Sequence, residues 1–285
     1  MRHLSLTVIL FTVLTALATA QQQIPNQVPT SVDAKVVLDA AGPKQRTALS
    51  AILLIVCPPS SAGTGFEVKA GFVVTNAHVV GTCNKDNLFG ILNSNERISF
   101  TKIITDSRRD LALLIPAIPL RAIGLDLYTG ADPVPGETVS TWGYPLLYNG
   151  ATPLLSVGYV SGFRQAEGDT GGTVKHIVVN AAFNHGNSGG PLLRANDNEV
   201  LGVVVLTYHF HPPVIKQIID AMSRDQFGMM YNFTNDKGER TQISEGQLTA
   251  AVLDEFYQTT QVMIGEAISV NELEMLIRER SADLK

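Results

Sequence analysis

The segment FNHGNSGGP, residues 183–191, places a serine between glycines, a pattern typical of a catalytic nucleophile. Its core has the spacing G-x-S-x-G, which fits a strained strand-to-helix turn that presents a nucleophilic serine. It also fits a loop in which backbone N–H groups stabilise an oxyanion beside Ser188. The first interpretation requires a helix directly after the serine, whereas Pro191 and a short apolar run follow it here. The second interpretation is therefore favoured.

A serine alone is a weak nucleophile, so this chemistry needs a histidine base and an acid that orients the base. Both residue types precede the serine: His78 lies in VVTNAHVV, and Asp110 begins the apolar run DLALL. In such a set His78 takes the Ser188 proton, while Asp110 holds the imidazole tautomer and stabilises the imidazolium. Asp106 is close enough in sequence to be an alternative acid.

The remaining candidate ligands do not form a recognisable metal motif. His209 and His211 are two residues apart and have no evident third ligand, so no metal and no other cofactor is expected. Together with His176 and His185 they are interpreted as non-catalytic.

The elements that must position these residues are short strands. From about residue 44, runs rich in Val, Ile and Leu recur with Gly, Pro, Asn and Asp between them, which predicts an all-β sandwich or barrel. Beyond residue 213 the apolar spacing becomes helical. Ser244 with Gln247, and Ser269 with Glu272, have the spacing of capping boxes at the starts of two helices.

Composition and the N-terminus constrain the location and the partners. A net charge of -5, without a cluster of Lys and Arg, argues against nucleic acid as a partner. Residues 1–20 have a basic start, an apolar run and small residues before a cleavage point after Ala20, which predicts a signal peptide and a secreted or periplasmic protein. An uncleaved membrane anchor is the alternative; after cleavage no stable membrane insertion is expected. Residues 21–43 are Gln- and Pro-rich and are predicted to be a flexible lead-in.

Export also changes the interpretation of the two cysteines, Cys57 and Cys83, which bracket His78. In an oxidising compartment an isolated pair favours a disulfide over a redox or metal site. Two buried free thiols are the alternative, because two cysteines alone define no geometry.

Several motifs in one order identify a family. TNAHVV, RRDLALL, PGETVSTWGYP, LLSVGYVSG and NAAFNHGNSGGPLL, spread over residues 44–212, resemble the trypsin-like (chymotrypsin-fold) serine proteases, in particular the HtrA-type branch. The family's Asp-Leu-Ala-Leu motif falls on Asp110, which favours Asp110 over Asp106 as the acid.

The resemblance implies two antiparallel six-stranded β-barrels with a catalytic cleft between them. It places the barrels at about 44–122 and 123–213 of a protease domain spanning 44–213. The chain departs from the HtrA-type branch after this domain, because residues 214–285 are too few and too helical for the usual PDZ domain and are predicted to be a C-terminal helical extension. It implies an oxyanion hole at Gly186 and Ser188 with Asn187 assisting. The residues implied to line the specificity pocket are Ala182, Phe183, Val204 and Val205.

The function implied is a secreted serine endopeptidase that acts on polypeptides through a His78, Asp110 and Ser188 triad and an acyl-enzyme. The apolar pocket predicts cleavage after small or medium apolar residues. The alternative is a binding protein or holdase built on a resting or inactive protease scaffold. The oligomeric state is left open.

Overall fold

The computed structural model describes residues 29–59, 61–81, 83–120, 123–145, 152–168, 171–205, 213–224, 227–234, 240–259 and 263–284. The strands are β1 (Ile52–Cys57), β2 (Ser61–Glu67), β3 (Val73–Thr75), β4 (Phe89–Leu92), β5 (Arg97–Asp106), β6 (Leu111–Pro116), β7 (Thr138–Gly143), β8 (Leu154–Glu167), β9 (Thr173–Val179), β10 (Pro191–Arg194), β11 (Val200–Val205), β12 (Met230–Thr234), β13 (Arg240–Ser244) and β14 (Gly265–Ser269). The helices are α1 (Lys35–Ala40), α2 (Pro43–Ser50), α3 (Ala77–Val80), α4 (Pro213–Arg224), α5 (Glu245–Thr259) and α6 (Val270–Glu279).

The first barrel closes in the order β1-β2-β3-β6-β5-β4, and every described pairing is antiparallel. Every residue of β1 is buried, as expected for a continuous run of Ile, Leu and Val whose strand is covered on both faces. The covalent link predicted for this barrel is present as a Cys57–Cys83 disulfide. It joins the end of β1 to the segment that follows α3. Helix α3 contains His78.

The second barrel closes in the order β10-β11-β14-β9-β8-β7. Two closed six-stranded antiparallel barrels confirm the predicted fold class. The sixth strand of this barrel is β14, which pairs with both β9 and β11. The barrel therefore does not end at residue 213, because the strand that closes it comes from within the segment predicted to be a helical extension.

The segment after residue 213 differs from the prediction in a second way. It contains the antiparallel hairpin β12–β13 between α4 and α5, so it is not purely helical. The capping box at Ser244 is present: the Ser244 N–H donates to Gln247 Oε1, and the Gln247 N–H donates to Ser244 Oγ. At Ser269 only half of the box forms, with Ser269 Oγ accepting the Asn271 N–H, because Glu272 is directed elsewhere.

The predicted lead-in is also more ordered than its composition suggests. Helix α1 forms within it at Lys35–Ala40, and α2 begins at Pro43, which supplies a preset φ at the first helical turn. The predicted signal peptide lies outside the described residues. Among the described helices, none has the length and apolar character needed to cross a membrane.

Candidate active site

His78 and Asp110 form the best-defined pair of the site. The carboxylate Oδ2 of Asp110 lies 2.7 Å from His78 Nδ1, and its Oδ1 accepts the His78 backbone N–H at 2.9 Å. One carboxylate thus holds both the ring and the main chain of the histidine. The His78 side chain is 46% exposed.

The turn that carries Asp110 is held in an unusual conformation. Asp110 has φ +53°, the left-handed region that costs a non-glycine residue about 1 kcal/mol. Its carbonyl accepts the Ala77 N–H and the Asn76 Nδ2–H, which fastens the turn to the start of α3. The strain is therefore offset by contacts that serve the histidine.

Asp106, the alternative acid, points to a different partner. Its carboxylate accepts both the backbone N–H and the guanidinium of Arg109. Within the described part of the chain it makes no hydrogen bond to His78, so the geometry favours Asp110 as the residue that orients the imidazole.

The backbone of Ser188 and of the residue after it contacts the first barrel. The Thr64 N–H of β2 donates to the Ser188 carbonyl at 2.9 Å. Next to it, Gly189 has φ +83°, and a Cβ there would lie 2.2 Å from both Thr64 O and Thr75 Oγ1 and 3.0 Å from Asn76 N. Only glycine permits this approach, which places the serine loop against the segment that leads into His78.

The N–H groups of Gly186 and Ser188 are the two main donors of the oxyanion hole predicted from the sequence. Gly186 has φ +100°, and within the described residues neither its N–H nor the Ser188 N–H has an acceptor. Both groups are therefore available to an oxyanion. The structure does not favour the predicted assistance from Asn187, because the Asn187 N–H donates to the Asn184 carbonyl at 2.9 Å and closes the turn instead.

The predicted pocket residues do not all face an open pocket. Phe183 and Val204 are buried in the core of the second barrel, whereas Ala182 and Val205 are half-buried. Phe183 packs on Gly265, where a Cβ would lie 2.3 Å from the ring. Gly265, at the start of β14, is a residue that sequence reasoning missed; its only signal is a glycine before a short apolar run.

Thr64 is a second residue that the sequence analysis missed. Its fully buried hydroxyl donates to the Gly186 carbonyl and accepts the Tyr144 N–H, and its carbonyl accepts the Thr75 hydroxyl. It thereby joins the oxyanion loop to the first barrel. A threonine flanked by glycines in SAGTGF was the only available signal.

Arg109 is the third such residue. Its side chain is 4% exposed and binds Asp106, Glu272 and Glu279, the last two on α6. The Glu279 hydrogen bond is the largest factor that raises the pKa of Arg109, and the same bond holds the pKa of Glu279 below its ordinary value.

The described residues contain no group of three or more metal-ligating side chains. His209 and His211 lie outside the described residues. His176 contacts Glu266 on β14, and no described contact links it to the triad residues.

Residues 63–203 match the family model of the trypsin-like peptidase domain. The chain is 35% identical over 152 residues to mouse (Mus musculus) serine protease HTRA4, covering 52% of this chain and 30% of that protein. It is 33% identical over 186 residues to Protease Do-like 4, mitochondrial, of Arabidopsis thaliana, covering 59% of this chain and 34% of that protein. The chain thus spans about a third of the length of these relatives.

Solved structures agree on the fold. The inactive form of the Rv3671c protease superposes with a TM-score of 0.57 at 18% identity, covering 88% of this chain and 98% of that chain. The active form of the same protease from M. tuberculosis gives a TM-score of 0.52 at 22% identity, covering 64% and 82%. At these identities the likeness concerns the double-barrel fold.

Proposed function

Because residues 63–203 match the trypsin-like peptidase domain and HtrA serine proteases are among the relatives of this chain, we propose that it is an exported serine endopeptidase. The observation that carries the proposal is the His78–Asp110 pair, held by two hydrogen bonds to one carboxylate beside the loop of Ser188. A chain without catalytic demand has no need for a strained Asp110 turn or for a glycine at 189 that admits this close approach.

In the proposed mechanism, His78 takes the proton from Ser188 Oγ as the oxygen attacks the substrate carbonyl. Asp110 stabilises the imidazolium and keeps its Nδ1 proton directed away from the serine. The N–H groups of Gly186 and Ser188 receive the negative charge of the tetrahedral intermediate. His78 then returns the proton to the leaving amine, and water releases the acyl group in a second round.

For the cleavage preference we infer a small or medium apolar residue on the acyl side of the cut bond. Ala182 and Val205, which are half-buried, supply apolar walls rather than a charge, and the buried ring of Phe183 fills space over Gly265 that a smaller side chain would open. Replacing Phe183 with alanine is expected to shift cleavage of a peptide library toward larger apolar residues. An unchanged profile in a folded Phe183→Ala protein would contradict this assignment.

The test of the proposed activity is intact-mass analysis after exposure to a fluorophosphonate probe. The wild-type protein is expected to gain one adduct, and Ser188→Ala and His78→Ala are expected to gain none. The mass of the unlabelled secreted protein reports at the same time whether the chain begins at Gln21, as the proposed export requires.

Controls separate loss of chemistry from loss of structure. Ser223→Ala on α4 and Asp126→Asn at the surface should label like wild type, whereas Asp110→Asn should slow turnover by about 10⁴-fold. Absence of an adduct on folded wild type would contradict an active resting site and would favour the alternative, a binding protein on a protease scaffold.

A further inference from the structure

Arg109 occupies a position where a cation is unexpected unless it has a structural or functional task. It directly precedes Asp110 in the chain, and its side chain is 4% exposed. Burying a guanidinium is costly unless its N–H groups are satisfied by carboxylates in good geometry. Arg109 meets this condition with contacts from all three of its nitrogen atoms.

The contacts come from two regions of the chain. Asp106, in the same turn, accepts from Nη1. The helix α6 provides the others: Glu279 accepts from Nη1 at 2.8 Å and Nη2 at 2.7 Å, and Glu272 accepts from Nε at 3.2 Å. A planar fork that binds a carboxylate through two parallel bonds has a defined orientation, which lysine cannot reproduce.

Glu272 extends this connection to the second barrel. Its Oε2 accepts from Arg109, while its Oε1 accepts the Lys175 backbone N–H of β9 at 3.1 Å. A single buried carboxylate therefore contacts the Asp110 turn of the first barrel and a strand of the second. This explains why Glu272 does not complete the capping box at Ser269.

The residue held by this connection is a strained one. Asp110 adopts φ +53° and is fastened on one side to the start of α3 through its carbonyl. On its other side the chain continues from Arg109, whose side chain is anchored on α6. A backbone that must remain in the left-handed region needs such fixation from both sides.

We propose that Arg109 is a positioning residue of the active site, tying the Asp110 turn to α6 and the second barrel and thereby orienting the His78–Asp110 pair. This inference rests on the proposed serine-peptidase function. Arg109 does not touch the reacting atoms and acts only through Asp110.

The principal test is Arg109→Lys, with Arg278→Lys on α6 as the matched control, since Arg278 pairs only with Glu274 among the described contacts. For Arg109→Lys, kcat toward a peptide substrate is expected to fall about 10- to 100-fold with KM within about twofold, because a small misplacement of the acid affects the chemical step. The acid limb of the kcat/KM profile is expected to move to lower pH, since a displaced Asp110 stabilises the imidazolium less. Arg278→Lys should leave all three quantities unchanged.

A second pair of variants guards against a folding defect in Arg109→Lys. Glu279 is 54% exposed, so Glu279→Gln leaves no newly buried charge, and it is expected to change kcat and the acid limb in the same direction by a smaller factor. Glu274→Gln on the same helix is its control. A lower melting temperature for Arg109→Lys and Glu279→Gln, with kcat and the pH profile unchanged below that temperature, would overturn the proposal.

A readout that does not depend on turnover separates this inference from the proposed function. The His78 Nδ1 proton is protected from exchange with water while it is bonded to Asp110, so its proton NMR resonance should be present in wild type and in Arg278→Lys. In Arg109→Lys it should broaden or disappear. An unlabelled wild type would refute the peptidase function alone, whereas an unchanged resonance in Arg109→Lys would refute the positioning role.

Discussion

The two barrels have the same strand count and the same closure, but they are assembled from the chain in different ways. The first takes all six strands from one continuous stretch, β1 to β6, and has a disulfide that joins β1 to the segment after α3, the helix of the candidate base His78. The second takes five strands from β7 to β11. Its sixth strand is β14, which follows the α4–α5 segment in the chain. Closing the second barrel thus requires a long loop to be closed first, which has an entropic cost and slows folding.

The comparison shows that β14 and α6, near the C-terminus, support the candidate site. None of the three candidate residues, His78, Asp110 and Ser188, lies in this segment. In β14, Gly265 packs against the ring of Phe183. In α6, Glu279 binds the side chain of Arg109, the residue that precedes Asp110. The continuous barrel provides His78 and Asp110, whereas the Ser188 loop lies between β9 and β10 of the discontinuous barrel.

The largest expected effect comes from removing the strand and helix that follow residue 264. Without β14, the facing edges of β9 and β11 are unpaired, and the core loses Ile268, Leu273 and Leu276. Probe labelling should be lost completely. In hydrogen exchange, amides of β9 and β11 should lose protection, while those of β1 and β2 keep it.

A truncation after Arg280, which retains α6, is the control for this experiment and should label like wild type. Two results would contradict the proposed division between a self-contained first barrel and a second barrel that depends on β14. One is probe labelling of the protein truncated after residue 264, and the other is an equal loss of amide protection in both barrels.

A smaller effect is expected from the buried carboxylate of the second barrel, Glu266. Burial by itself would raise the pKa of Glu266, but hydrogen bonds from His176 and Arg164 outweigh burial and bring it to about 2. A lowered pKa stabilises the fold above about pH 4.5, and this contribution is lost as pH falls toward 2. Glu266→Gln should therefore lower the free energy of unfolding at pH 7 by about 3 kcal/mol.

Urea unfolding of wild type and Glu266→Gln at a series of pH values measures this difference. It should shrink steadily below pH 4.5, whereas Glu274→Gln on α6, which weakens only a pair with the exposed Arg278, should differ little from wild type throughout. A difference independent of pH would mean that packing, not charge, accounts for the effect.

The smallest effect, of opposite sign, is expected at Glu67 of the first barrel. Glu67 is 4% exposed, its Oε2 has no hydrogen-bond partner among the described residues, and burial raises its pKa to about 6. A raised carboxyl pKa destabilises the folded protein as pH rises from about 4.5 through 6. Glu67→Gln should therefore increase the free energy of unfolding at pH 7 by at most about 2 kcal/mol and have no effect at pH 4.

The same unfolding series tests this prediction, with Glu96→Gln as an exposed control in the first barrel. Destabilisation of Glu67→Gln at pH 7 would show that the carboxylate has a favourable partner and would remove the contrast with Glu266.

Motifs with local spacing predicted much of this molecule. The residues TNAHVV, DLALL and GNSGGP were sufficient to select His78, Asp110 and Ser188 as candidates, and short apolar runs were sufficient to predict an all-β sandwich or barrel. The two barrels were implied by the family resemblance. What these motifs missed was non-local: β14 was assigned to a helical extension because a five-residue strand between two helices has too few residues to show a period. The turn hydrogen bond from Asn187 to Asn184 was also missed, because such a bond has no sequence signature.

By itself, then, the sequence determined which groups are candidates for the chemistry and that the fold is built from short strands, because both depend on residue type and on neighbours a few positions away. Only the tertiary structure decided that Asp106 binds Arg109 while Asp110 binds His78. It also decided that Thr64, Gly265 and α6 support the site. The physical reason is that these choices depend on hydrogen-bond geometry and close packing between segments as much as 170 residues apart in the chain. No local pattern of residues encodes such distances.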